Sequence, residues 1–438
     1  MSSNIFLRKI PFYPFFLKIL LFLALFSYFY PVKFKVAPIS SAMIFQLIGL
    51  FLFLWKICVK GKLNKKIIIF YGYGILIFFI GIFSTVVFND AYQFEYALTK
   101  GIYIFFYSFG AYLIVFLMKR LSNTFSFYTI LEWMIYISLV QAFISFAFFF
   151  FPNIFEIYKN FVVLDEKSEA KATILNAFRL IGVGTMYATA AVQYGMVMWG
   201  TILLYKQEGS FFSKHIFFCS SLICLFCIAG IFSGRTFFVI LLMTVFYIFF
   251  LNGTKKAFTS FKDFFKLFLP VSFIGALIVF YLFSNNEKMM DWAFELFFNS
   301  DNKLMESKSM NDLSEMYLFP DNIKTWLIGD GRSSAAGGGF YMHSDVGYIR
   351  SLFYWGLIGT VTYYFINYKF YTILKNMVSN IYIRKYFLTI LLWFFIYNSK
   401  DFWGIAQYFV LYLMVLLNVS PQSHNEEKAI YKCNTGLT

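Results

Sequence analysis

Charge is what this chain has least of. Asp, Glu, Lys and Arg make up 13% of its 438 residues, against about 25% in an average soluble domain. Histidine occurs three times and cysteine five times, which excludes a disulfide framework. Cys219, Cys224 and Cys227 lie in one apolar run. The last two have zinc or redox spacing, but no second pair supports a centre, and they read as small packed hydrophobes. The Asp-x-Asp pair of many metal-dependent sugar-nucleotide transferases is missing, so no metal and no other cofactor is expected. No internal repeat is visible.

Apolar side chains take the place of the missing charge. The chain is 60% hydrophobic and 24% aromatic, with a mean hydropathy of +0.68. Apolar runs near 20 residues long recur, the length that crosses a bilayer as helix. The expected fold is therefore an all-α polytopic integral membrane protein, residues 1–438 forming one helical bundle. Twelve spans are counted, at about 11–30, 38–56, 67–88, 97–118, 127–151, 179–204, 215–232, 236–251, 267–284, 345–366, 386–398 and 403–419. Polar segments at 152–179 and 285–342 form outer loops, the second preceding the tenth span, and 420–438 is an inner tail.

The net charge of +15 would fit a nucleic-acid partner only if the charges clustered for it, and they do not. On this topology the inner side carries 21 Lys/Arg against 4 Asp/Glu, and the outer side 15 against 17. That is the positive-inside bias that orients spans during insertion. It places both termini in the cytoplasm and argues against nucleic acid.

The remaining informative charges stand at outer ends of spans: Arg179, Arg235, Arg332, His343, Asp345 and Arg350. Guanidinium groups at one membrane surface suit a diphosphate, whose oxygens they bind bidentately. Most of these residues fall in one stretch, Gly329 to Arg350, GDGRSSAAGGGFYMHSDVGYIR. Its glycines Gly337 to Gly339 read as a hinge, and Arg332 and Tyr348 as acceptor or loop contacts. A helix starting at Ser344 or Asp345 would put His343, Gly347 and Arg350 on one face, with Asp345 turned away. That geometry favours His343 as general base, with Asp345 either a cap or a rival base.

Three patterns, in order, resemble the O-antigen polymerases and the related O-antigen ligases. They are FRLIGVG at Phe178 to Gly184, SGRTFFVILL at Ser233 to Leu242, and WLIGDGR followed by HSDVGYIRSLFYWGLIGTV, which ends at Val361. The resemblance implies a fold like that of the membrane-embedded GT-C glycosyltransferases. The implied activity is inverting, metal-independent transfer at the periplasmic face of the bacterial inner membrane. Undecaprenyl-diphosphate-linked oligosaccharide repeat units would be the substrates, and a polysaccharide chain-length regulator a partner. Arg179 and Arg235 would hold the diphosphate, with Arg350 a further candidate, and His343 would match the ligase histidine. The chain departs from the ligases in having HSDVGY where they tend to show His-Asn. A ligase acting on lipid A–core, or a lipid-linked oligosaccharide flippase, is the alternative; a flippase would line a central cavity with charge and would not need the long outer loop.

Overall fold

The computed structural model describes residues 13–419 except 38, 62, 123–124, 164–178, 185–187, 253–261, 263–264, 269–274, 276, 278–280, 282–312 and 336–337. Most of the ninth expected span, much of the long loop, Gly337 and the tail from 420 lie outside the described residues. Apart from isolated bridges, every regular element among the described residues is helical.

In chain order the main helices are α1 (Tyr13–Phe29), α2 (Ser41–Lys60), α3 (Lys65–Ile82, prolonged by a π turn to Val87), α4 (Glu95–Leu121), α5 (Phe127–Phe150) and α6 (Pro152–Phe161). They continue with α7 (Ala188–Lys206), α8 (Ile216–Ser233), α9 (Phe237–Asn252), α10 (Ile323–Ile328), α11 (Gly347–Met377), α12 (Ile381–Tyr397) and α13 (Ala406–Leu416). Five stretches among the described residues are long and apolar enough to cross a membrane: Ser41–Val59, Lys65–Val87, Glu95–Leu121, Phe127–Phe150 and Ile216–Ser233. This is the architecture of a helical membrane protein.

Local chemistry sets the helix ends. Ser40 accepts from the Met43 amide and Asn64 from the Lys66 amide, capping α2 and α3, while Gly61 closes α2 in the left-handed region. Side-chain pattern then sets depth. Every residue of α7 from Ala190 to Leu204 is buried, and α13 is buried from Tyr408 to Val415. A helix apolar on all sides belongs at the centre of a bundle. Trp199, on α7 itself, packs edge-to-face on Trp393 of α12 at 6.3 Å between ring centres. By contrast α2 leaves Phe51 and Trp55 72% exposed, which suits a lipid-facing position.

The connecting segments join each other in two sets. In one, Lys35 donates to the Phe161 carbonyl, Asn89 to that of Gly329 and Lys324 to that of Phe88. In the other, Lys119 donates to Asn418, Asn380 to Tyr128 and Lys385 to the Phe250 carbonyl.

α11 is broken. At Gly356 the backbone has φ 65° and ψ −172°, so the ladder is interrupted one third of the way along. The cause is α10, which crosses at the break: a Cβ on Gly356 would lie 2.3 Å from the Leu327 carbonyl. The carbonyls freed by the break find donors. The Asp330 amide donates to Phe353 O at 2.6 Å, and the Ser84 hydroxyl stands where its one proton can go to Tyr354 O or to the α10 carbonyl of Ile328. Irregular backbone at membrane depth persists only where such partners are supplied.

Gly356→Ala should therefore destabilise the protein. Left-handed strain costs about 1–2 kcal/mol, and the backbone contact adds to it. The melting temperature in detergent should fall by about 2 °C or more. Gly72→Ala, where a Cβ meets nothing within 4 Å, is the control and should not lower it. Equal melting curves for both variants would contradict the account of the break.

Candidate functional site

The site is assembled from three segments at one end of the bundle. The first is the extended chain from Arg179 to Gly184. The Leu180 amide donates to Phe232 O at the end of α8 (2.9 Å), and Gln141 of α5 donates to Val183 O (3.0 Å). Leu180 and Ile181 are fully buried, which leaves Arg179 at the edge. The second is the turn from α8 to α9, closed by Phe237 N to Gly234 O (2.9 Å), with Arg235 at its tip. Because Leu180 is bonded to Phe232, Arg179 and Arg235 come together from 56 positions apart.

The third is the turn after α12. Lys400 and Asp401 both donate their amides to Tyr397 O, which places them side by side. The start of α11 sits directly on this turn. A Cβ on Gly347 would be 2.6 Å from Asp401 O and 2.7 Å from Asn398 Oδ1, so only glycine permits the approach. The Tyr348 amide donates to Asn398 O at 3.1 Å. Arg350 Nη1 then reaches Asp401 Oδ1 at 2.9 Å, while its Nε donates to the Tyr96 hydroxyl at 2.7 Å. The Phe340 ring lies 3.5 Å from the guanidinium carbon.

Lys400 reports what surrounds it. Burial lowers the pKa of its ammonium, and the charges of Arg235 and then Arg179 push it further down, with Asp401 and Asp345 opposing. Three cations thus share one electrostatic neighbourhood with Asp345. Asp401 is already engaged by Arg350, the Phe402 amide and the Tyr397 hydroxyl. A set of guanidinium and ammonium groups of this kind is suited to an anion with several oxygens.

Two expectations about the stretch before Arg350 are corrected. The helix starts at Gly347, not at Ser344 or Asp345, and has Val346 as its N-cap. Ser344 instead donates to Met316 O and accepts from the Val346 amide, which keeps 344–346 extended. His343 ends a separate 3-10 turn, where it and Met342 have φ of 52° and 57°. The shared face of His343, Gly347 and Arg350 therefore does not exist. The His343 side chain is exposed and makes no hydrogen bond or ion pair among the described residues. Asp345, also exposed, is the one in reach of Lys400.

The glycine segment closes a small hairpin, with Gly338 N bonded to Ala335 O and a bridge from Ser334 to Phe340. Gly338 and Gly339 sit at φ 83° and 85°, which that turn uses; Gly337 is outside the described residues. Arg332 is exposed and stands over the Tyr341 ring. Tyr348 turns its hydroxyl to Phe395 O at 2.7 Å and packs on Tyr364, away from the cation cluster. Lys400 was missed by sequence reasoning. Its signal was a charged Lys-Asp pair in a turn only a few residues long between aromatic spans. Among the described residues no three His, Cys, Asp or Glu side chains gather as metal ligands.

Compared with protein families, curated proteins and solved structures, the chain finds no match.

The Lys400 environment sets a sign for pH dependence. Between its lowered pKa and the ordinary lysine value, the unfolded chain keeps a proton that the folded chain has lost. The contribution of this group to stability therefore rises with pH across that window. Lys400→Met should raise the melting temperature at neutral pH, and the gain should shrink as pH climbs toward the ordinary lysine range. A gain independent of pH would mean that packing, not charge, explains it.

Proposed function

We propose that the chain is an O-antigen polymerase, joining undecaprenyl-diphosphate-linked oligosaccharide repeat units at the periplasmic face of the inner membrane. The observation that carries this reading is that Arg179 and Arg235, brought near each other by the Leu180–Phe232 bond, both lie close enough to Lys400 to lower its pKa, with Asp345 close enough to raise it. The twelve-span topology, with this end of the bundle outward and both termini inside, rests on the Lys/Arg asymmetry of the loops. The kinship with GT-C transferases rests on the resemblance of the three sequence patterns.

In this reading the cations hold the diphosphate of the donor. The acceptor sugar hydroxyl attacks the anomeric carbon as the carbon–oxygen bond to the diphosphate breaks. The hydroxyl proton passes to a carboxylate, and undecaprenyl diphosphate leaves carrying the negative charge. Guanidinium and ammonium groups fixed beforehand around that charge lower the barrier without rearrangement. Asp345 is the better-placed base, being exposed and electrostatically coupled to Lys400, whereas His343 lies on its own turn. Arg350, held by Asp401 and Tyr96, positions the start of α11 instead of offering its guanidinium to the diphosphate.

Deleting the gene tests the reaction. The expected result is lipopolysaccharide with core plus at most one repeat unit. Polymer stranded on the carrier lipid would indicate a ligase, and single units trapped in the cytoplasmic leaflet a flippase.

Point variants test the residues. Arg179→Lys and Arg235→Lys keep the charge but lose the bidentate fork, so each should shorten and deplete polymer at normal protein level. With purified protein and defined lipid-linked units, Asp345→Asn should lower the single-turnover rate by roughly 10² or more, the usual scale for a lost general base. His343→Ala should stay near wild type. The reverse pattern would return the base role to His343.

A further inference from the structure

A cleft of about 270 Å³ opens where α2 turns into α3, at the end of the bundle where Lys119 meets Asn418. Phe53, Ile67 and Met414 give it apolar walls, and Lys56, Asn64 and Asn418 bring the polar groups. Lys56 Nζ lies 5.0 Å from the centre of the Tyr112 ring. Lys119 Nζ donates to Asn418 Oδ1 at 2.8 Å, so two ammonium groups stand at the cleft. No Asp or Glu occurs from Ser41 to Asn89, from Tyr96 to Leu131 or from Phe402 to Asn425, the segments that supply every wall. The field there favours an anion. The volume is below the roughly 300–1,000 Å³ usual for a whole small ligand. It suits one charged head group whose remainder lies outside.

The remainder has a place to lie. On α2 the side chains of Ile44, Ile48, Phe51, Trp55 and Val59 are exposed, and their spacings of three and four put them on one face. At about 1.5 Å per residue, Ile44 to Trp55 covers about 16 Å. That is about half of a hydrocarbon core of ~30 Å, the depth of one leaflet. The other side of α2 is packed: Gly49 lies against the Phe109 carbonyl so closely that no Cβ fits, and Phe53 is buried. Lys56 follows Trp55 and stands about 100° round the helix from it, between the packed side and the exposed stripe. An exposed tryptophan at the end of a span marks head-group depth. A charged cleft at one end of an apolar stripe one leaflet long has the outline of a phospholipid.

We propose that this cleft binds an anionic phospholipid, with its phosphate at Lys56 and Lys119 and an acyl chain along the Ile44–Trp55 face of α2. Basic pockets between membrane helices hold such head groups, each ammonium adding to the attraction. The inference needs only that the bundle crosses a membrane and does not depend on the polymerase reading. Seated there, the lipid bridges α2 and α3, which bury little of their surface in the protein, to the end of α13, which is buried from Tyr408 to Val415.

The test reconstitutes the full-length protein in phosphatidylcholine vesicles carrying increasing fractions of a second lipid with brominated acyl chains. That lipid is phosphatidylglycerol, which is anionic, or phosphatidylethanolamine, which has no net charge. Bromine quenches tryptophan on contact, and the quenching lost in Trp55→Phe reports occupancy of this site. Wild type should reach half-quenching at a phosphatidylglycerol fraction about fivefold or more below that for phosphatidylethanolamine, the scale of one ammonium near an anionic head group. Lys56→Met and Lys119→Met should each lose most of this preference, and Lys56→Arg should keep it. Melting in pure phosphatidylcholine checks that each variant is folded; if Lys56→Met is not, Lys119→Met decides. Equal quenching by the two lipids in wild type would overturn the proposal, as would an unchanged preference in the folded Met variants. So would an equal loss in Lys35→Met, an exposed lysine before α2, because the effect would then be general surface charge. Displacement of the brominated lipid by undecaprenyl phosphate but not by unlabelled phosphatidylglycerol would make this a carrier-lipid site and likewise overturn it.

Discussion

The seat of α11 on the turn after α12 is the contact on which the candidate site depends. Arg350 and Asp401 meet at 2.9 Å, and Tyr96 takes the remaining direction of the guanidinium. A buried arginine stripped of its carboxylate costs roughly 3–5 kcal/mol; Asp401 keeps a side chain 40% exposed, so the loss here lies below that range. The larger effect is geometric. The pair fixes the turn in which Lys400 immediately precedes Asp401, and that turn carries one of the three cations to the other two. Arg179 and Arg235 are fixed by a separate bond, Leu180 to Phe232. The cluster therefore exists only while two independent pieces of backbone hold their register.

Burial first, and then the guanidinium groups of Arg235 and Arg179, hold the Lys400 ammonium below its ordinary pKa, with Asp401 and Asp345 opposing them.

Much of the fold was legible because the bilayer imposes length. Most apolar runs became helices within a few residues of their expected limits, and the turn at Ser233 to Arg235 is as tight as its three-residue spacing implied. What was not legible depends on contacts distant in sequence. Trp355 to Val361 reads as an unbroken span, and only the crossing of α10 some 28 residues earlier explains why Gly356 interrupts it. The start of α11 was misplaced for the same reason, since Ser344 looks like a cap until Met316 claims its hydroxyl. Lys400 looked like one charge in a short turn, and its neighbours come from two other loops. Arg350 is expected from the sequence as a diphosphate contact, and the carboxylate that binds it in the structure, Asp401, lies 51 positions away.

The burial of α7 on every side has a consequence for how the chain is made. Ala188–Lys206 is as long as a span yet falls outside the set apolar enough to cross a membrane alone. Its Gln193, Thr201 and small residues are tolerated because neighbouring helices, not lipid, surround them. At the translocon such a segment partitions weakly by itself, so its insertion depends on α5 and on α8, whose turn follows shortly after. Nascent chains stopped just after Lys206 should then leave α7 outside the bilayer more often than chains extended through Ser233, a difference that glycosylation mapping would register. In biogenesis, this central helix is secured only after the helix that follows it.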